Sequence, residues 1–457
     1  MYAFDAETNT TDGGLLWGPI SLGTPVPTSE ICSANVSPSF GVTGTPVIDT
    51  VTGTLYLVSK NKLGSGDYAA RLHALDLSSG AEKFGGRVDI SGSVPRTAGG
   101  DPTVTFDPLR HFQRSALLLY GGSVYVAFGS HCDQPDYHGW MFGYEAANIT
   151  TQTAIFNTTP NALTRNGYSG CPGYKNKLPA GGAIWMAGAG PAASRTGIYV
   201  TTGNGHFDGN TAGGIDFGDT VLKLGKPEPA DPFKRLTVAD YFTPHDQQSL
   251  ECNDNDFGSS GPMVLPYTDR SFLIQTSKYG SIYLINRTTG SMGKYDNGCN
   301  PSGPGCDHVV QVIHHAIGGE VQSSPAFFDG AVYFQGQKDP MKKFTIIDGM
   351  FAPTTPVAEA ATPLGMSATP SISSDASAPD IGATGIVWAI EKSSTQQAVL
   401  HAYTADTLRE LYNSGAQGVR DAAGTTVNFT VPTVAAGKVF VGTRSRLVVF
   451  GAGYFKP

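Results

Sequence analysis

Apolar and polar residues alternate in short runs along this chain, and one three-part pattern returns many times. In the first part a small residue and a proline open a short apolar run, as in Gly44-Thr-Pro-Val-Ile-Asp49. The second is a turn with aromatic and β-branched residues, as in Thr54-Leu-Tyr-Leu-Val-Ser-Lys60, and the third alternates before a polar turn, as in Arg71-Leu-His-Ala-Leu-Asp-Leu-Ser-Ser-Gly80. All three have strand composition, so the pattern predicts consecutive β-strands.

The repetition of this unit predicts a β-propeller. A less regular fourth strand follows most copies, for example at 15–17, 82–84, 154–156 and 409–412. Four strands that return every ~40 to 70 residues indicate a ring of small sheets, because no single unit buries its own faces. A β-sandwich is the alternative, but sandwiches lack an internal period. We therefore expect an all-β fold in one propeller domain over residues 1–457.

Both ends of the chain look incomplete in this pattern. Six fuller blades begin near residues 41, 113, 183, 259, 323 and 367. The first 18 residues supply only the last two strands of a blade, and residues 426–453 supply three strands. We expect the unpaired edge of the last blade to favour aggregation, so that a chain extended upstream would give more soluble protein.

Composition narrows the function. Charged residues are only 15%, with 58 Gly and 30 Pro, which fits short strands and turns rather than long helices. A net charge of −8 argues against binding to nucleic acid or to an anionic membrane surface. No run of 18 apolar residues is present, so we expect no membrane span.

Cysteine usage predicts a secreted protein. The chain has an even number of cysteines, six, and six N-x-S/T sequons, although the start at Met1 enters a strand motif directly, where we expect no signal peptide. Together these features favour an oxidising, secretory compartment and a glycoprotein. Cys299 and Cys306 bracket a short Pro- and Gly-rich loop, and we expect them to form a disulfide; free buried thiols are the alternative.

The repeats resemble a known family, the pyrroloquinoline-quinone (PQQ) repeat propellers, whose fold is that of quinoprotein alcohol dehydrogenases. The motifs are Tyr2-Ala-Phe-Asp-Ala-Glu-Thr8 with Leu16-Trp17, Leu72-His-Ala-Leu-Asp-Leu-Ser-Ser-Gly80, and Ala402-Tyr-Thr-Ala-Asp406 with Leu411. Tyr137-His-Gly-Trp140 and Val200-Thr-Thr-Gly-Asn-Gly205 are similar to a group of secreted PQQ-like propellers without assigned activity. The resemblance implies eight blades, with the N-terminal blade incomplete; the alternative is a seven-bladed ring closed by residues 15–17.

The resemblance also implies a cofactor site. Quinoprotein dehydrogenases hold the tricarboxylate PQQ flat on a Trp, which makes Trp140 a candidate floor, with Ca²⁺ and an Asp base. In the alcohol group the other side of PQQ meets a disulfide of adjacent cysteines. This chain has no Cys-Cys pair and no Cys-x-x-Cys-His, so it lacks that disulfide and we expect no haem. The six-bladed sugar dehydrogenases do without the disulfide and use His as the base.

Polar residues in the long loops on one face are the candidates for chemistry. As catalytic acids or bases we expect His131, Asp136, His138 and His315. As Ca²⁺ ligands we expect Asp208, Asp216 and Asp256, because Ca²⁺ takes six to eight hard oxygens. The alternatives are turns in which Asp and Asn only satisfy their own backbone, and histidines that pack within loops.

A recurring cation defines a candidate anion site. The charged residues that follow the end of a second strand are Lys60, Lys278, Lys338, Lys392 and Arg444. Rotational symmetry would bring them to one axial opening, where converging cations bind a small polyanion such as PQQ. The alternative is that strand ends simply carry solvated lysines.

Two functions follow from these patterns. One is a secreted, PQQ- and Ca²⁺-dependent oxidoreductase of alcohols or sugars that holds an anionic ligand in its axial pocket. The other is a non-catalytic propeller whose loops bind a glycan or a protein partner. Either is expected to be a monomer, and the fold alone does not decide between them.

Overall fold

The structure is a computed structural model. It describes residues 1–7, 14–32, 36–97, 101–134, 137–163, 165–166, 177–178, 180–266, 271–296, 298, 306–366, 368–393 and 395–451. Over these residues the chain forms seven antiparallel sheets of three or more strands, in sequence order.

The first three sheets cover the N-terminal half. The first sheet contains Val47–Asp49, Thr54–Gly64, Asp67–Asp76 and Val88–Asp89. The second contains His111–Phe112, Leu118–Tyr120, Ser123–Ser130, Trp140–Glu145 and Asn148–Asn157. The third contains Ala192–Ser194, Gly197–Thr201, Val221–Gly225 and Thr237–Phe242.

Four sheets follow in the C-terminal half. The fourth contains Met263–Val264, Phe272–Thr276, Ile282–Asn286 and Gln311–Ile313. The fifth contains Ala326–Phe328, Ala331–Phe334, Asp339–Ile347, Met350–Phe351 and Ala358–Leu364. The sixth contains Ser371–Ser373, Ile386–Lys392, Ala398–Thr404 and Glu410–Asn413, and the seventh contains Thr433–Ala435, Lys438–Gly442 and Leu447–Gly451.

The remaining elements are short. The two-stranded pairs are Ala3–Phe4 with Leu15–Trp17, Val26–Pro27 with Ser39–Phe40, Ser93–Pro95 with Thr103–Thr105, and Arg165–Asn166 with Lys177–Leu178. One α-helix, Gln247–Cys252, is found in the described residues. The 3₁₀ turns are Thr28–Glu30, Phe257–Ser259, Gly382–Thr384 and Ser414–Asp421. In the described part of the chain, no helix is long and apolar enough to cross a membrane.

The innermost strands meet around a central axis, which makes the fold a β-propeller. Each is preceded by one of the small-residue motifs, and these motifs bond to one another. Leu117 N donates to Thr45 O at 3.0 Å, and Ala116 N donates to Ala189 O at 2.7 Å. Further round the ring, Ser324 N donates to Thr369 Oγ1 at 3.0 Å. Small residues are required here because the backbones approach closely.

Hydrophobic cores fill the spaces between neighbouring sheets. Tyr56 and Leu72 of the first sheet pack with Phe128, Trp140 and Phe142 of the second in one fully buried cluster. Similar clusters join the later sheets to their neighbours. Long middle strands such as Thr54–Gly64 and Trp140–Glu145 are therefore mostly buried, because they are covered on both faces.

The N-terminal hairpin, Ala3–Phe4 with Leu15–Trp17, lies between the seventh and first sheets. The ammonium group of Lys438 in the seventh sheet donates to Ala6 O and lies 3.3 Å from a carboxylate oxygen of Glu7. On the other side, Trp17 Nε1 donates to Leu77 O at 2.9 Å. The predicted all-β propeller is confirmed, whereas eight or seven blades stays a prediction.

One predicted strand is wrong. The outer strand of the first sheet is Val88–Asp89 rather than residues 82–84, where only Glu82 makes an isolated bridge. Phe84 has a φ of +52°, so the backbone turns at this point and cannot continue a ladder. The other three predicted outer strands coincide with or overlap strands of the structure.

Candidate functional site

A cavity of about 630 Å³ lies on the propeller axis. Gly188 lines it, and a Cβ at that position would lie 2.8 Å from Thr369 and 3.5 Å from Val431, which precede the sixth and seventh sheets. The segment before the third sheet therefore reaches across the ring and forms part of the cavity wall. The volume lies within the range of small-molecule sites.

Arg114 is the central charged group of this cavity. It lies between the first two strands of the second sheet, and its guanidinium carbon is 3.9 Å from the ring centre of Phe429 and 5.7 Å from that of Trp185. It makes no side-chain hydrogen bond or ion pair with any described residue. Burial lowers the pKa of Arg114 to about 10, although Asp256 and Asp133 oppose this shift, so the group stays charged. No described residue accepts from its five N–H donors.

Two further cations line the cavity without an ion pair to a described residue. Lys392 ends the second strand of the sixth sheet and is half-buried, and Arg444 lies in the last turn of the seventh sheet and is exposed. We call Arg114, Lys392 and Arg444 the unpaired cations.

Three carboxylates, the acidic cluster, line another part of the cavity: Asp133, Asp254 and Asp256. Lys278 neutralises two of them, because its ammonium nitrogen lies 3.3 Å from an oxygen of Asp254 and 3.5 Å from an oxygen of Asp256. The same ammonium donates to Asp254 O at 2.8 Å. Asn204 N donates to Asp256 Oδ1 at 3.0 Å.

Two members of the acidic cluster, Asp133 and Asp256, hold their protons unusually tightly. Surrounding protein and the charge of Asp256 raise the pKa of Asp133 to about 6, even though Ser130 Oγ donates to it at 3.1 Å. Burial also raises the pKa of Asp256. Behind it, burial raises the pKa of Asp219 well above its usual value. A carboxyl group that titrates near neutrality and faces a cavity can accept or donate a proton there.

A disulfide borders the same cavity. Cys32 and Cys132 are bonded across 100 residues of sequence, and both line the cavity next to Asp133. Cys306 is also in a disulfide, as is Cys252. The predicted partner of Cys306, Cys299, lies outside the described residues, so that pairing stays a prediction.

Lys60 and His131 form a buried pair beside the cavity. The ammonium nitrogen of Lys60 lies 2.8 Å from Leu109 O, 3.0 Å from His111 O and 2.7 Å from His131 Nε2. His131 itself lines the cavity. Lys60 therefore does not reach the ligand space directly, although it was expected to.

The structure scatters the other predicted residues. Lys338 is exposed in a turn and is not among the described residues that line the cavity. The His138 ring is buried, and its Nδ1 lies 2.9 Å from Thr159 O. His315 is exposed outside the cavity, and Trp140 is enclosed in the core between the first two sheets. Asp136 lies outside the described residues.

The predicted Ca²⁺ ligands separate into two places. Asp208 and Asp216 come together with His206, with one ligand atom of each within 4.8 Å of the others. Their oxygens already serve the loop, since Asp208 Oδ1 accepts from Asp216 N at 2.8 Å and Asp216 Oδ2 lies 2.9 Å from His206 Nδ1. Asp256 is not part of this group and lines the axial cavity instead.

Sequence reasoning missed the residues at the centre of the cavity. Arg114 and Trp185 stand outside the recurring motifs, and Phe429 is over 300 residues away from Arg114. Asp133 stands in a polar loop without a local signal that distinguishes it from its neighbours. Cations that follow the repeat, such as Lys392, could be predicted from the sequence. Arg114 could not, because it lies in the break between the first two strands of the second sheet.

The comparisons with known proteins find similarity in structure only. No family model matches the chain, and neither does any curated protein. A europium-containing methanol dehydrogenase is 13% identical, with a TM-score of 0.49 over 94% of this chain and 77% of that one. BamB from Moraxella catarrhalis is 12% identical, with a TM-score of 0.45 over 93% and 95%. The quinohemoprotein alcohol dehydrogenase ADHIIG from Pseudomonas putida HK5 is 14% identical, with a TM-score of 0.43 over 89% and 70%.

Likenesses of this size say nothing about the chemistry of the chain. Membership of the PQQ-repeat family therefore stays a prediction, and the function has to be argued from the cavity itself.

Proposed function

We propose that this protein binds a small, planar polyanion in its axial cavity. The observation that carries the proposal is Arg114, a charged guanidinium stacked near two aromatic rings in the cavity, without a hydrogen bond to any described residue. Asp256 and Asp133 act on this partly buried guanidinium only through space, without an ion pair, so an anion that contacts it directly gains more than it would at a surface. Lys392 and Arg444 add charge of the same sign.

The residues of the cavity fit the carboxylates of PQQ. Three unpaired cations face a space of suitable volume, and the rings of Trp185 and Phe429 offer apolar surface to a flat molecule. Arg114 would hold one carboxylate by paired N–H groups, and Lys392 and Arg444 would neutralise the others. When bound, such a quinone accepts a hydride from an alcohol or a sugar.

The residues do not fit Ca²⁺ at the acidic cluster. Asp254 and Asp256 already share the ammonium group of Lys278 as their counter-ion. A Ca²⁺ between them would either displace that ammonium or be repelled by its positive charge. Asp208 and Asp216 lie with His206 and do not line the axial cavity.

Oxidoreductase activity on alcohols or sugars is the second candidate, and Asp133 favours it. This carboxyl group faces the cavity and has a pKa of about 6, raised by surrounding protein and by Asp256. At neutral pH it is mostly ionised yet basic enough to take the proton of a substrate hydroxyl. Binding of a glycan or protein partner, without catalysis, is the remaining alternative.

We also propose that the protein works in an oxidising, extracytosolic compartment. Cys32 is bonded to Cys132, and Cys252 and Cys306 are in disulfides as well, which is typical of secreted proteins. Of the sequons, the one at Asn148 is exposed, whereas Asn157 is buried and unsuited to a glycan. Mass spectrometry of secreted material would test the glycan at Asn148.

Calorimetry with PQQ tests the anion proposal. We expect wild type to release heat with one site per chain, and Arg114→Gln to weaken binding by at least about tenfold, since hydrogen bonds to charged groups contribute about 1.5 to 3 kcal/mol. Arg235→Gln is the matched control, because Arg235 lines a second cavity of about 640 Å³ between the second and third sheets.

Three results are decisive. Loss of binding in Arg114→Gln alone supports the axial site, and loss in Arg235→Gln would move the site to the second cavity. Wild type that binds no PQQ would reject the proposal and favour a glycan or protein partner. The PQQ-loaded protein, tested with alcohols and sugars and an artificial electron acceptor, then decides whether binding leads to oxidation; Asp133→Asn should abolish turnover while binding is retained.

A further inference from the structure

We propose that Lys60 and His131 form a positioning pair that sets the hydrogen-bonding polarity of the axial cavity: the protonation of Lys60 decides whether His131 Nδ1 donates or accepts. The role in selecting anions rests on the proposed function, but the pair itself can be tested without a ligand.

The argument begins with the three partners of Lys60. Its nitrogen lies 2.8 Å from Leu109 O, 3.0 Å from His111 O and 2.7 Å from His131 Nε2. Carbonyl oxygens only accept, so two N–H groups of Lys60 go to them in either protonation state. The third hydrogen-bonding position of the Lys60 nitrogen points toward the imidazole, and it changes from donor to acceptor when Lys60 loses its proton.

An ammonium and a neutral amine demand opposite tautomers of His131. With Lys60 charged, its third N–H donates to Nε2, and the imidazole proton must be on Nδ1. With Lys60 neutral, its lone pair accepts from Nε2–H, and Nδ1 is left as a bare acceptor. The unit thus carries one proton more in the first state than in the second.

The Nδ1 edge of the His131 imidazole lies at the cavity. His131 lines it, and Nδ1 has no hydrogen-bond partner among the described residues. The ring is held between Phe40, at 4.4 Å in an edge-on arrangement, and Phe112, at 4.7 Å in a stacked one. These rings keep the imidazole from turning, so a change of tautomer changes what a ligand meets.

Within the pair and its direct contacts, Lys60 is the group that titrates near neutrality, while Asp133, two residues from His131 along the chain, has a pKa of about 6. Burial lowers the pKa of Lys60 to about 7, with Asp107 opposing the shift. Burial and the Lys60 charge lower the pKa of His131 to about 2, and burial lowers that of His111 to about 4, so both rings stay neutral. Arg110 is paired with Asp107 at 3.2 Å.

Anion binding is therefore coupled to proton uptake. An anion beside Nδ1 stabilises the donor form, which is the form with Lys60 protonated. If binding raises the pKa of Lys60 by about one unit, affinity falls about tenfold as the pH rises through that range. A ligand that presents a donor to Nδ1 would show the opposite dependence.

Imidazole NMR on the ligand-free, ¹⁵N-histidine-labelled protein tests the pair directly, with His131→Asn to assign the signal. We expect His131 to change from the Nδ1–H to the Nε2–H tautomer between about pH 6 and pH 8.5, without becoming doubly protonated. A single tautomer throughout this range, or an imidazolium at the lower end, would overturn the proposal. This measurement needs no ligand.

Lys60→Arg supplies the second test, because a guanidinium stays charged at all these pH values. We expect this variant to keep the Nδ1–H tautomer and to bind PQQ with an affinity that is flat between about pH 7 and pH 9, where wild type loses about fivefold. Equal pH dependence in both proteins would refute the coupling. Failure of wild type to bind PQQ would reject only the proposed function, while the NMR result still decides the pair.

Discussion

The acidic cluster and the unpaired cations face the same axial cavity, but only the acidic cluster contains an ion pair with another described residue. Asp254 and Asp256 share the ammonium of Lys278, and Asp256 also accepts a backbone N–H. Arg114, Lys392 and Arg444 have no ion pair with a described residue. A charge that the chain has already paired belongs to the scaffold, whereas an unpaired one is available to a ligand.

The largest difference we expect concerns the covalent bond on the acidic side. Cys32–Cys132 adjoins Asp133 and closes 100 residues of chain, whereas the described residues of the cationic side contain no disulfide. Replacing both cysteines by serine should lower the free energy of unfolding by about 2 to 5 kcal/mol. Denaturant unfolding of the oxidised wild type and the double variant measures this. An unchanged midpoint would mean that the bond does not constrain the acidic side.

The same substitution on either side of the cavity gives the next effect. Lys278→Met leaves Asp254 and Asp256 without their cation and should cost about 2 to 4 kcal/mol of stability. Lys392→Met removes a cation without a partner and should change stability by less than about 0.5 kcal/mol. Thermal unfolding of the two variants side by side checks the contrast, and equal losses would contradict it.

The sequence predicts a feature well when the residues that determine it are close together along the chain. Strands such as Ser123–Ser130 and Lys438–Gly442 follow from alternation and turn residues within a few positions, so the repeat located them. Residues 82–84 show where this local pattern fails, since the left-handed backbone of Phe84 ends the predicted strand.

The site depends on contacts between distant segments. Of the cations that the repeat aligns, Lys278, Lys392 and Arg444 line the cavity, whereas Lys60 and Lys338 do not. The repeat could not show that Lys278 meets Asp256 or that Lys60 is enclosed by carbonyl groups. The partner of each charged side chain is set by how the loops pack, and the loops do not follow the repeat.

The pH dependence of stability is the third way to separate the two sides. The pKa of Asp133 is raised to about 6 in the folded protein, above its ordinary value, so the folded state binds this proton more tightly. Its contribution favours folding at low pH and is lost as the pH rises through about 6. Asp133→Asn should therefore be more stable than wild type at neutral pH.

Melting temperatures of both proteins between about pH 5 and pH 7.5 test this expectation. Wild type should lose more stability than Asp133→Asn over that interval. Asp219 and Asp256 also have raised pKa values, so part of the decline should persist in the variant. Parallel curves would show that Asp133 is well solvated.

The smallest effect separates two unpaired cations that differ in exposure. Arg444 is exposed at the cavity rim, whereas Arg114 is half-buried against Phe429. Arg444→Gln should weaken PQQ binding only about two- to fivefold, as exposed ion pairs contribute about 0.2 to 1 kcal/mol.

Salt sharpens the distinction between these two arginines. The Debye length shortens from about 10 Å at 0.1 M to about 3 Å at 1 M, which screens exposed charges far more than enclosed ones. The difference between wild type and Arg444→Gln should therefore vanish at high salt, while that between wild type and Arg114→Gln persists. If both differences faded together, Arg114 would behave as a solvated charge, and the cavity would lack the enclosed cation on which the proposed binding depends.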